Sequence, residues 1–327
     1  MENKFLKIND KDQWQALLDK VLFKTFFHSI EWEEFLEKNF KWLKFEHYNY
    51  QNSALLSLAR VKILGKEKLI SHPFCEYGGP LPLVEKINGE TFKKDIFEEF
   101  KIPFKISFHP KLLNYFQNLG ISESERETYF YENLENSQEL WQKMDRNRHR
   151  AINKGLEQNF NIEKCKNMKD LKSLYTLYVK NLKEHKTLVY PFSFFEFFLK
   201  SSEAEIELVK KGNKLVGGNI FLFYSNIIHS FLCGFDNKYK RLGAHSLVLW
   251  SEIQKKEKQM FDFGATRKDS SIRDFKQRWG ARVMPIYELK NYSGESKLRS
   301  SFLRDIWSYL PVDLIKVLSP YFIKYKL

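Results

Sequence analysis

The sequence predicts a mixed α/β protein built from two similar units in tandem, each with a mostly antiparallel sheet flanked by helices. The 327 residues exceed what one ordinary core needs, since most domains hold roughly 100 to 200 residues. Apolar residues make up 43% of the chain and include 30 Phe, 16 Tyr and 7 Trp, enough large side chains to fill two cores. Strand-like and helix-like segments also follow one order in the second half that the first half repeats more loosely.

The second half of the chain shows this order most clearly. Alternating residues at 159–164 predict a short strand, and apolar residues at helical spacing over 167–183 predict a helix after it. Pro191 fits the first turn of a second, phenylalanine-rich helix. The later segments predict strands at 205–210, 215–224 and 227–235, a helix at 244–260, a strand at 261–264, a helix at 272–279 and a strand at 283–289. The resulting order is β-α-α-β-β-β-α-β-α-β.

The first half gives a similar series with weaker patterns. It predicts strands at 5–8, 42–50, 54–64, 103–108 and 127–132, and helices at 14–22, 30–38, 90–100 and 110–119. We place the boundary inside a predicted helix at 136–156. The predicted parts are an N-terminal domain at 1–135, a C-terminal domain at 136–292 and an amphipathic helical tail at 293–327.

Composition excludes some classes of protein and leaves others open. The net charge of +13 favours anionic partners such as nucleic acid, phosphorylated substrates or anionic lipid, although a general bias toward lysine explains it equally well. Three widely separated cysteines and eight histidines without metal-ligand spacing predict neither a disulfide framework nor a metal site. Residues 1–7 lack an apolar signal segment, and no stretch approaches the roughly 20 apolar residues that span a bilayer. These features predict a cytoplasmic protein.

The tail mixes apolar residues with cations and is interrupted by Pro311 and Pro320. Its apolar residues are Leu298, Phe302, Ile306, Trp307, Leu310, Leu314, Val317, Phe322 and Ile323, and its cations include Arg299, Arg304, Lys316, Lys324 and Lys326. Such a segment either docks on the protein's own surface or lies on an anionic membrane face.

Five short motifs accompany the order of elements. They are Phe27-His28-Ser29-Ile30-Glu31-Trp32, Tyr77-Gly78-Gly79-Pro80-Leu81, the basic stretch 146–155, Phe261-Asp262-Phe263-Gly264, and Phe275-Lys276 followed by Trp279-Gly280. In these motifs and their order, the chain resembles the Fem-like branch of the GNAT superfamily, tandem-GNAT N-acyltransferases whose founding members add amino acids to peptidoglycan precursors. The resemblance implies two GNAT-like domains and transfer of an acyl or aminoacyl group to an amine, by direct attack on an ester or thioester.

The resemblance places the activated donor in the C-terminal domain. In GNAT folds an irregular fourth strand offers free amides to the donor, and the corresponding residues here are Leu232, Cys233, Gly234 and Phe235. Arg241, Gly243 and Ala244 precede a helix whose N-terminal amides form an anion site, or they simply cap an ordinary helix. The usual pyrophosphate pattern is broken at His245, so acyl-CoA is in doubt as the donor and aminoacyl-tRNA stays open.

The resemblance also suggests catalytic residues. In Fem-like transferases the Phe-Lys pair, here Phe275 and Lys276, lies beside the reacting ester, where an ammonium offsets charge on the developing oxyanion. A solvent-facing helix cation is the alternative for Lys276. Asp262, near a strand end, either orients the attacking amine or caps a turn. No metal or tightly bound cofactor is expected; the donor is a co-substrate.

Two further groups are candidates for binding substrate. Arg146, Arg150 and Lys154 recur every four residues, so a helix aligns them on one face that either grips phosphates or is merely solvated. Tyr77, Gly78 and Gly79 form either a loop that lines the acceptor site or a plain turn.

One rival hypothesis is a non-catalytic basic protein that binds RNA or an anionic membrane through the stripe from Lys143 to Lys154 and the tail. Another is a degenerate transferase kept as a scaffold. DNA is not an expected partner. The expected acceptor is an amine on a cell-envelope precursor, sugar or peptide, and the protein is expected in the cytoplasm, with peripheral membrane contact through the tail as an option.

Overall fold

The computed structural model describes residues 4–255, 258, 260–292, 307 and 309–327. It confirms the mixed α/β class and divides into two compact units. Unit 1 holds the described residues of Met1–Glu127 and Met284–Gly294, and unit 2 holds those of Thr128–Val283 and Glu295–Leu327. The assignment of a separate function to each of the predicted domains stays a prediction.

Unit 1 begins with one strand and two helices, followed by a meander of strands. Its strands are β1 (Phe5–Ile8), β2 (Leu43–Tyr50), β3 (Ala54–Ile63), β4 (Lys66–Ile70), β5 (Leu81–Pro82), β6 (Ile87–Asn88), β7 (Phe104–Phe108) and β8 (Phe116–Gln117), and β9 (Ser122–Tyr131) starts there. Its helices are α1 (Lys11–Leu18), α2 (Ile30–Asn39) and α3 (Gly89–Glu99). Asp10, Ser29 and Asn88 begin these helices, since each side chain accepts a backbone N–H of the first turn.

The sheet of unit 1 is mostly antiparallel. β1 to β4 pair in sequence as antiparallel neighbours, and β4 then pairs parallel with β7. One face carries an apolar core rich in aromatic side chains, including Phe92, Phe104 and Phe108, all fully buried. β5 adds to the edge of β3, and β6 pairs with β8 in a separate two-stranded sheet.

Unit 2 repeats the same order of elements. Its helices are α4 (Ser137–Lys143), α5 (Arg146–Glu157), α6 (Met168–Glu184), α7 (Phe192–Lys200), α8 (Asn237–Lys240), α9 (Ala244–Lys255), α10 (Ser271–Gln277) and α11 (Val312–Phe322). Its strands are β10 (Asn161–Lys164), β11 (Ala204–Lys211), β12 (Lys214–Tyr224), β13 (Ile227–Phe235) and β14 (Met260–Arg267), and β15 (Arg282–Lys290) begins there. The last four residues of β15 pair antiparallel with β7 inside unit 1.

The sheet of unit 2 has the same pairing scheme as that of unit 1. β10 to β13 are successive antiparallel neighbours, and β13 pairs parallel with β14. Its core includes Ile152, Val216, Phe221, Phe261 and Trp279, each fully buried. Two units therefore share one arrangement of four antiparallel strands and a parallel fifth, as the recurring sequence pattern predicts.

Two predicted helices differ from the structure. The predicted single helix at 136–156 is two helices, because Met144 is extended and Asp145 accepts the Asn147 N–H to begin α5. The predicted helix at 110–119 is a short 3₁₀ helix, Pro110–Tyr115, after which Phe116 enters β8 and Asn118 takes a positive φ of 55°.

Of the predicted tail, the structure describes residues 307 and 309–327. The tail residues Leu298, Arg299, Phe302, Arg304 and Ile306, for which we predicted a role, lie outside the described residues. Residues 256, 257 and 259 of the predicted helix at 244–260 lie outside them as well. No helix in the described part of the chain has both the length and the apolar character needed to cross a bilayer.

Candidate functional site

The fourth and fifth strands of unit 2, β13 and β14, diverge after a short parallel pairing. β13 and β14 stay in register only as far as His229 and Asp262. Among the described strands, the rest of β13 pairs with β12 alone, and its register shifts beside Phe221. The strand that was predicted to receive the donor therefore has an edge that no described strand pairs, as an irregular fourth strand requires.

The end of this edge is closed by a side chain from α6. Asn181 Nδ2 donates to the carbonyl of Phe235, and the Phe235 N–H donates to Asn181 Oδ1, each over 2.8 Å. Both backbone groups of Phe235 are thus satisfied within unit 2, and the prediction that its amide is free for a donor is wrong. A side-chain amide that mimics a neighbouring strand gives no sequence signal at this distance along the chain.

The remaining residues of the segment pack closely against the same helix. A Cβ added to Gly234 would lie 2.5 Å from the backbone nitrogen of Tyr178, so only glycine permits this approach of strand to helix. Leu232 is buried, and burial raises the pKa of the Cys233 thiol. A thiol that stays neutral at neutral pH is a poor nucleophile.

The loop before α9 is held against α5. Gly243 has a φ of +91°, and a Cβ there would lie 2.0 Å from the carbonyl oxygen of Ala151. A Cβ at Gly155 would in turn lie 3.0 Å from the carbonyl oxygen of Gly243. These two glycines let the start of α9 lie directly on α5, with Ala244 buried and Arg241 exposed. Their presence has a packing reason that does not require a bound phosphate.

Arg148, which the sequence analysis did not select, joins the start of α9 to α10. It is buried, and its guanidinium donates to Ser246 Oγ over 2.5 Å and to the Phe275 carbonyl over 3.1 Å. Its Cζ lies 4.1 Å from the centre of the Phe275 ring and 4.9 Å from that of Trp279. No carboxylate forms an ion pair with it among the described residues, and burial lowers its pKa to about 10. The signal that could have identified it is its place on the buried face of α5, with Ile152 and Gly155.

His245 occupies the position that breaks the pyrophosphate pattern. Its ring stacks on Phe275 at 4.9 Å with an angle of 3° between the planes, and its other neighbour, Phe235, is 4.7 Å away. Burial holds its pKa well below the usual range, so the ring is neutral at pH 7. A glycine or alanine at this place would leave the space between the two phenylalanine rings empty.

Lys276 is buried, with a relative exposure of 9%, so the alternative of a solvent-facing cation is wrong. Its ammonium donates to the carbonyl oxygens of Gly264 at 2.6 Å and Ala265 at 3.2 Å. These carbonyls belong to β14, just beyond its pairing with β13. The short helix α10 thus holds Lys276 beside the point where the strands part. Its role in catalysis stays a prediction.

Asp262 is fully buried beside that point and has a structural role. Its Oδ1 accepts the hydroxyl of Thr128 over 2.7 Å and the N–H of Gly264 over 2.8 Å. The second bond fixes the β14 backbone at Gly264, where φ is +75°, beside the carbonyl that Lys276 binds. Asp262 therefore supports the backbone inside β14, which continues to Arg267, rather than capping a turn at a strand end, and contact with an attacking amine stays a prediction.

The predicted basic stripe exists as a helix face. Arg146, Arg150 and Lys154 are all exposed on α5, four residues apart. Both the phosphate-binding and the solvated interpretations require this exposure, so it does not decide between them. The arginines of α5 lie in two environments. Arg146 and Arg150 are exposed to solvent, whereas Arg148 is buried inside unit 2.

In unit 1 the Tyr77-Gly78-Gly79 loop is buried and contacts another family motif. His28 Nε2 lies 3.0 Å from the Gly79 carbonyl, and the Gly78 N–H donates to Ser107 O over 2.9 Å. A Cβ at Gly78 would lie 2.6 Å from the carbonyl oxygen of Ser71. This loop is therefore a tightly packed part of unit 1 rather than a plain exposed turn, and its contact with an acceptor stays a prediction.

His28 belongs to a buried group of polar side chains that the sequence analysis missed. The Thr25 N–H donates to His28 Nδ1, which leaves Nε2–H to donate to Gly79, and burial lowers the pKa of His28 to about 4. The His72 ring lies 4.5 Å from that of His28, and its Nε2 is 3.8 Å from Glu33 Oε1. The Glu33 carboxylate also accepts a hydrogen bond from the Ser57 hydroxyl over 2.6 Å, and its Oε2 lies 2.6 Å from Nε2 of His47.

Comparison of the sequence with family models and with curated proteins gives no match. Solved structures do match. FemX superposes with a TM-score of 0.63 and 13% identity, over 86% of this chain and 96% of its own. L-PGS from Bacillus licheniformis gives a TM-score of 0.55 and 12% identity, over 92% of this chain and 98% of its own. The C-terminal domain of a putative lysylphosphatidylglycerol synthetase from Agrobacterium fabrum gives 0.54 and 11%, over 90% and 95%.

Identities this low show a shared fold and leave the activity open. The likeness covers nearly the whole length of each protein, so it concerns both units and not one domain. Together with the repeated arrangement of four antiparallel strands and a parallel fifth, it confirms that the chain has the Fem-like tandem GNAT fold.

Proposed function

We propose that the protein is an N-acyltransferase that moves an acyl or aminoacyl group from an activated donor to an amine. The fold agrees with that of FemX and of L-PGS, and the parting of β13 and β14 in unit 2 offers a strand edge for the donor. In this scheme unit 2 carries the donor site. The attacking nitrogen forms a bond to the acyl carbon and the ester or thioester bond breaks. The proton that the nitrogen loses ends on the leaving oxygen or sulfur, which departs as an alcohol or thiol.

The position of Lys276 is the observation that carries this proposal. A buried lysine costs free energy unless its amine is held by partners, and here two carbonyls of β14 hold it. In the proposed reaction, this ammonium would offset negative charge as it develops on the acyl oxygen. Phe275 fixes the adjacent backbone through its carbonyl bond to Arg148. Asp262 holds the β14 backbone at Gly264, whose carbonyl accepts a hydrogen bond from Lys276.

The donor site favours aminoacyl-tRNA over acyl-CoA. A pantetheine arm needs backbone amides along β13, and Asn181 already occupies that of Phe235. His245 with its two aromatic neighbours fills the place where the pyrophosphate pattern has a small residue. The exposed stripe of Arg146, Arg150 and Lys154 suits the phosphates of a polynucleotide donor.

The acceptor we propose is an amine on a cell-envelope precursor, or a related sugar or peptide, consistent with a role in cell-wall biogenesis and peptidoglycan. The reaction needs no bound metal or cofactor in this scheme, because the donor is consumed as a co-substrate. The expected location is the cytoplasm, with peripheral contact at the inner face of the membrane.

The decisive experiment offers both donors to the purified protein. A mixture of aminoacyl-tRNAs and, separately, acetyl-CoA would be incubated with a soluble muropeptide precursor bearing a free amine, and amide products would be identified by mass spectrometry. We expect an aminoacyl product that Lys276→Met abolishes. Products with acetyl-CoA alone would reverse the proposed donor.

Lack of any transfer, together with salt-dependent RNA binding that Lys276→Met leaves unchanged, would support the non-catalytic alternative instead. The exposed stripe on α5 is the observation that favours this alternative. Substituting Arg146 and Arg150 with Met should weaken RNA binding in either case, so the transfer assay is the one that separates the two functions.

A further inference from the structure

α11 carries apolar side chains on two opposite faces. Ile315 and Ser319 are buried, and Ser319 Oγ lies 3.5 Å from the hydroxyl of Tyr175 on α6. α11 therefore docks on unit 2 through this inner face. The rings of Trp307, which is buried, and Phe322 are 5.6 Å apart and extend the same attachment. The inner face confirms the expectation that the tail contacts the protein's own surface.

The opposite face is apolar and exposed. Val317 is 65% exposed, Tyr321 69% and Leu314 41%, and Tyr309 just before α11 is 84% exposed. Leu314, Val317 and Tyr321 are separated by three and four residues, so they share one face of the helix. Val317 is two positions along the chain from both Ile315 and Ser319, which places it about half a turn from the inner face. We call Tyr309, Leu314, Val317 and Tyr321 the outer stripe.

A helix that is apolar on both sides is normally covered on both sides, and a contiguous exposed apolar patch marks an interaction surface. The charges near the outer stripe favour a particular kind of partner. Residues 307–327 themselves hold three lysines and one aspartate, so this segment is cationic. Tyrosines stand at both ends of the stripe, and tyrosine is enriched where membranes meet water.

We infer that the outer stripe of α11 binds the surface of an anionic lipid bilayer, with the helix lying in the plane of the headgroups. The apolar side chains would enter the boundary between headgroups and acyl chains, and the lysines would meet lipid phosphates. The net charge of +13 on the chain adds a long-range attraction to the same surface. This inference rests on α11 alone and holds whether or not unit 2 transfers an acyl group.

The test is sedimentation of the full-length protein with vesicles. Vesicles of phosphatidylcholine with about one third phosphatidylglycerol should carry the protein down at low salt, and pure phosphatidylcholine should bind it far less. The double variant Leu314→Ser/Val317→Ser should reduce binding to the anionic vesicles about tenfold or more, because it removes methyl groups that the bilayer would bury. The matched control is Leu6→Ser/Leu156→Ser, which changes two leucines that are 58% and 61% exposed elsewhere and should bind as the wild type does.

Circular dichroism would show whether the double variant is folded, and Tyr321→Ser repeats the test at one exposed position if it is not. Absence of wild-type binding to anionic vesicles, or an equal loss in the control, would overturn the inference. A wild-type dimer that the double variant converts to a monomer, without vesicle binding by either, would assign the outer stripe to contact between two copies and would also overturn it. Transfer to a soluble acceptor is measured separately, so failure here leaves the proposed reaction untouched.

Discussion

Arg148 offers the sharpest separation of function from stability in this chain. Burial lowers the pKa of Arg148 to about 10, so burying the charge costs about 3 kcal/mol. Arg148→Met removes that cost and leaves the Phe275 carbonyl and Ser246 without their guanidinium partner, which costs about 1–3 kcal/mol. The two effects oppose each other. We therefore expect the free energy of unfolding to change by no more than about 2 kcal/mol.

The same substitution should lower kcat for transfer at least about tenfold, because α10, which carries Lys276, loses its bond to α5. Arg148→Lys should restore little, since one ammonium lacks the fork that meets Ser246 and Phe275 together. The matched control is Glu157→Met, which replaces an exposed charged residue of the same helix outside the basic stripe and should leave kcat unchanged. The assays are urea unfolding and steady-state transfer. A wild-type kcat in Arg148→Met would refute the positioning role, and a loss of stability above about 4 kcal/mol would show that the residue serves the fold alone.

Three further outcomes follow from the structure. Gly243→Ala should lower the free energy of unfolding by more than about 2 kcal/mol in urea melts, because the new Cβ would lie 2.0 Å from the Ala151 carbonyl oxygen and φ is +91°. A near-neutral effect would contradict the close packing of Gly243 on α5. The pKa of His28 is lowered to about 4, so the unfolded chain binds a proton below about pH 6.5 that the folded chain does not, and stability should fall between pH 6.5 and 4. His28→Gln should flatten that fall in pH-dependent urea midpoints, whereas the exposed control His185→Gln should not, and equal slopes would refute the assignment. Asn181→Ala should free both backbone groups of Phe235. If the Asn181 carboxamide excludes pantetheine, this variant should turn over an acyl-CoA donor faster than the wild type. Unchanged turnover would show that Asn181 does not select the donor.

The fold was predictable because its signals are local. Helix spacing, turn pairs such as Gly212-Asn213 and capping residues such as Asn167 act within a few positions, and they recur in both halves. The sequence pattern did not predict the break between α4 and α5, because Asp145 is one more polar residue within a long helical pattern. Its capping role appears only once Met144 is seen to be extended.

The site was only partly predictable for a related reason. Lys276 was selected by its motif, but nothing in the sequence shows that its partners are carbonyls of β14. Arg148 stands between two more conspicuous arginines, and its burial depends on Ser246 and Phe275, which are distant in sequence. The Asn181 bonds to Phe235 are equally long-range. Long-range polar contacts leave no periodic pattern to read.

The transfer assay with Lys276→Met tests the central claim most directly. Purified wild-type protein should form an amide between an aminoacyl group and the amine of a muropeptide precursor, and Lys276→Met should lose at least about a hundredfold in kcat while unfolding at a similar urea concentration. Arg278→Met, which removes an exposed cation two residues away, should keep the wild-type rate. A Lys276→Met protein that transfers as fast as the wild type would contradict the account.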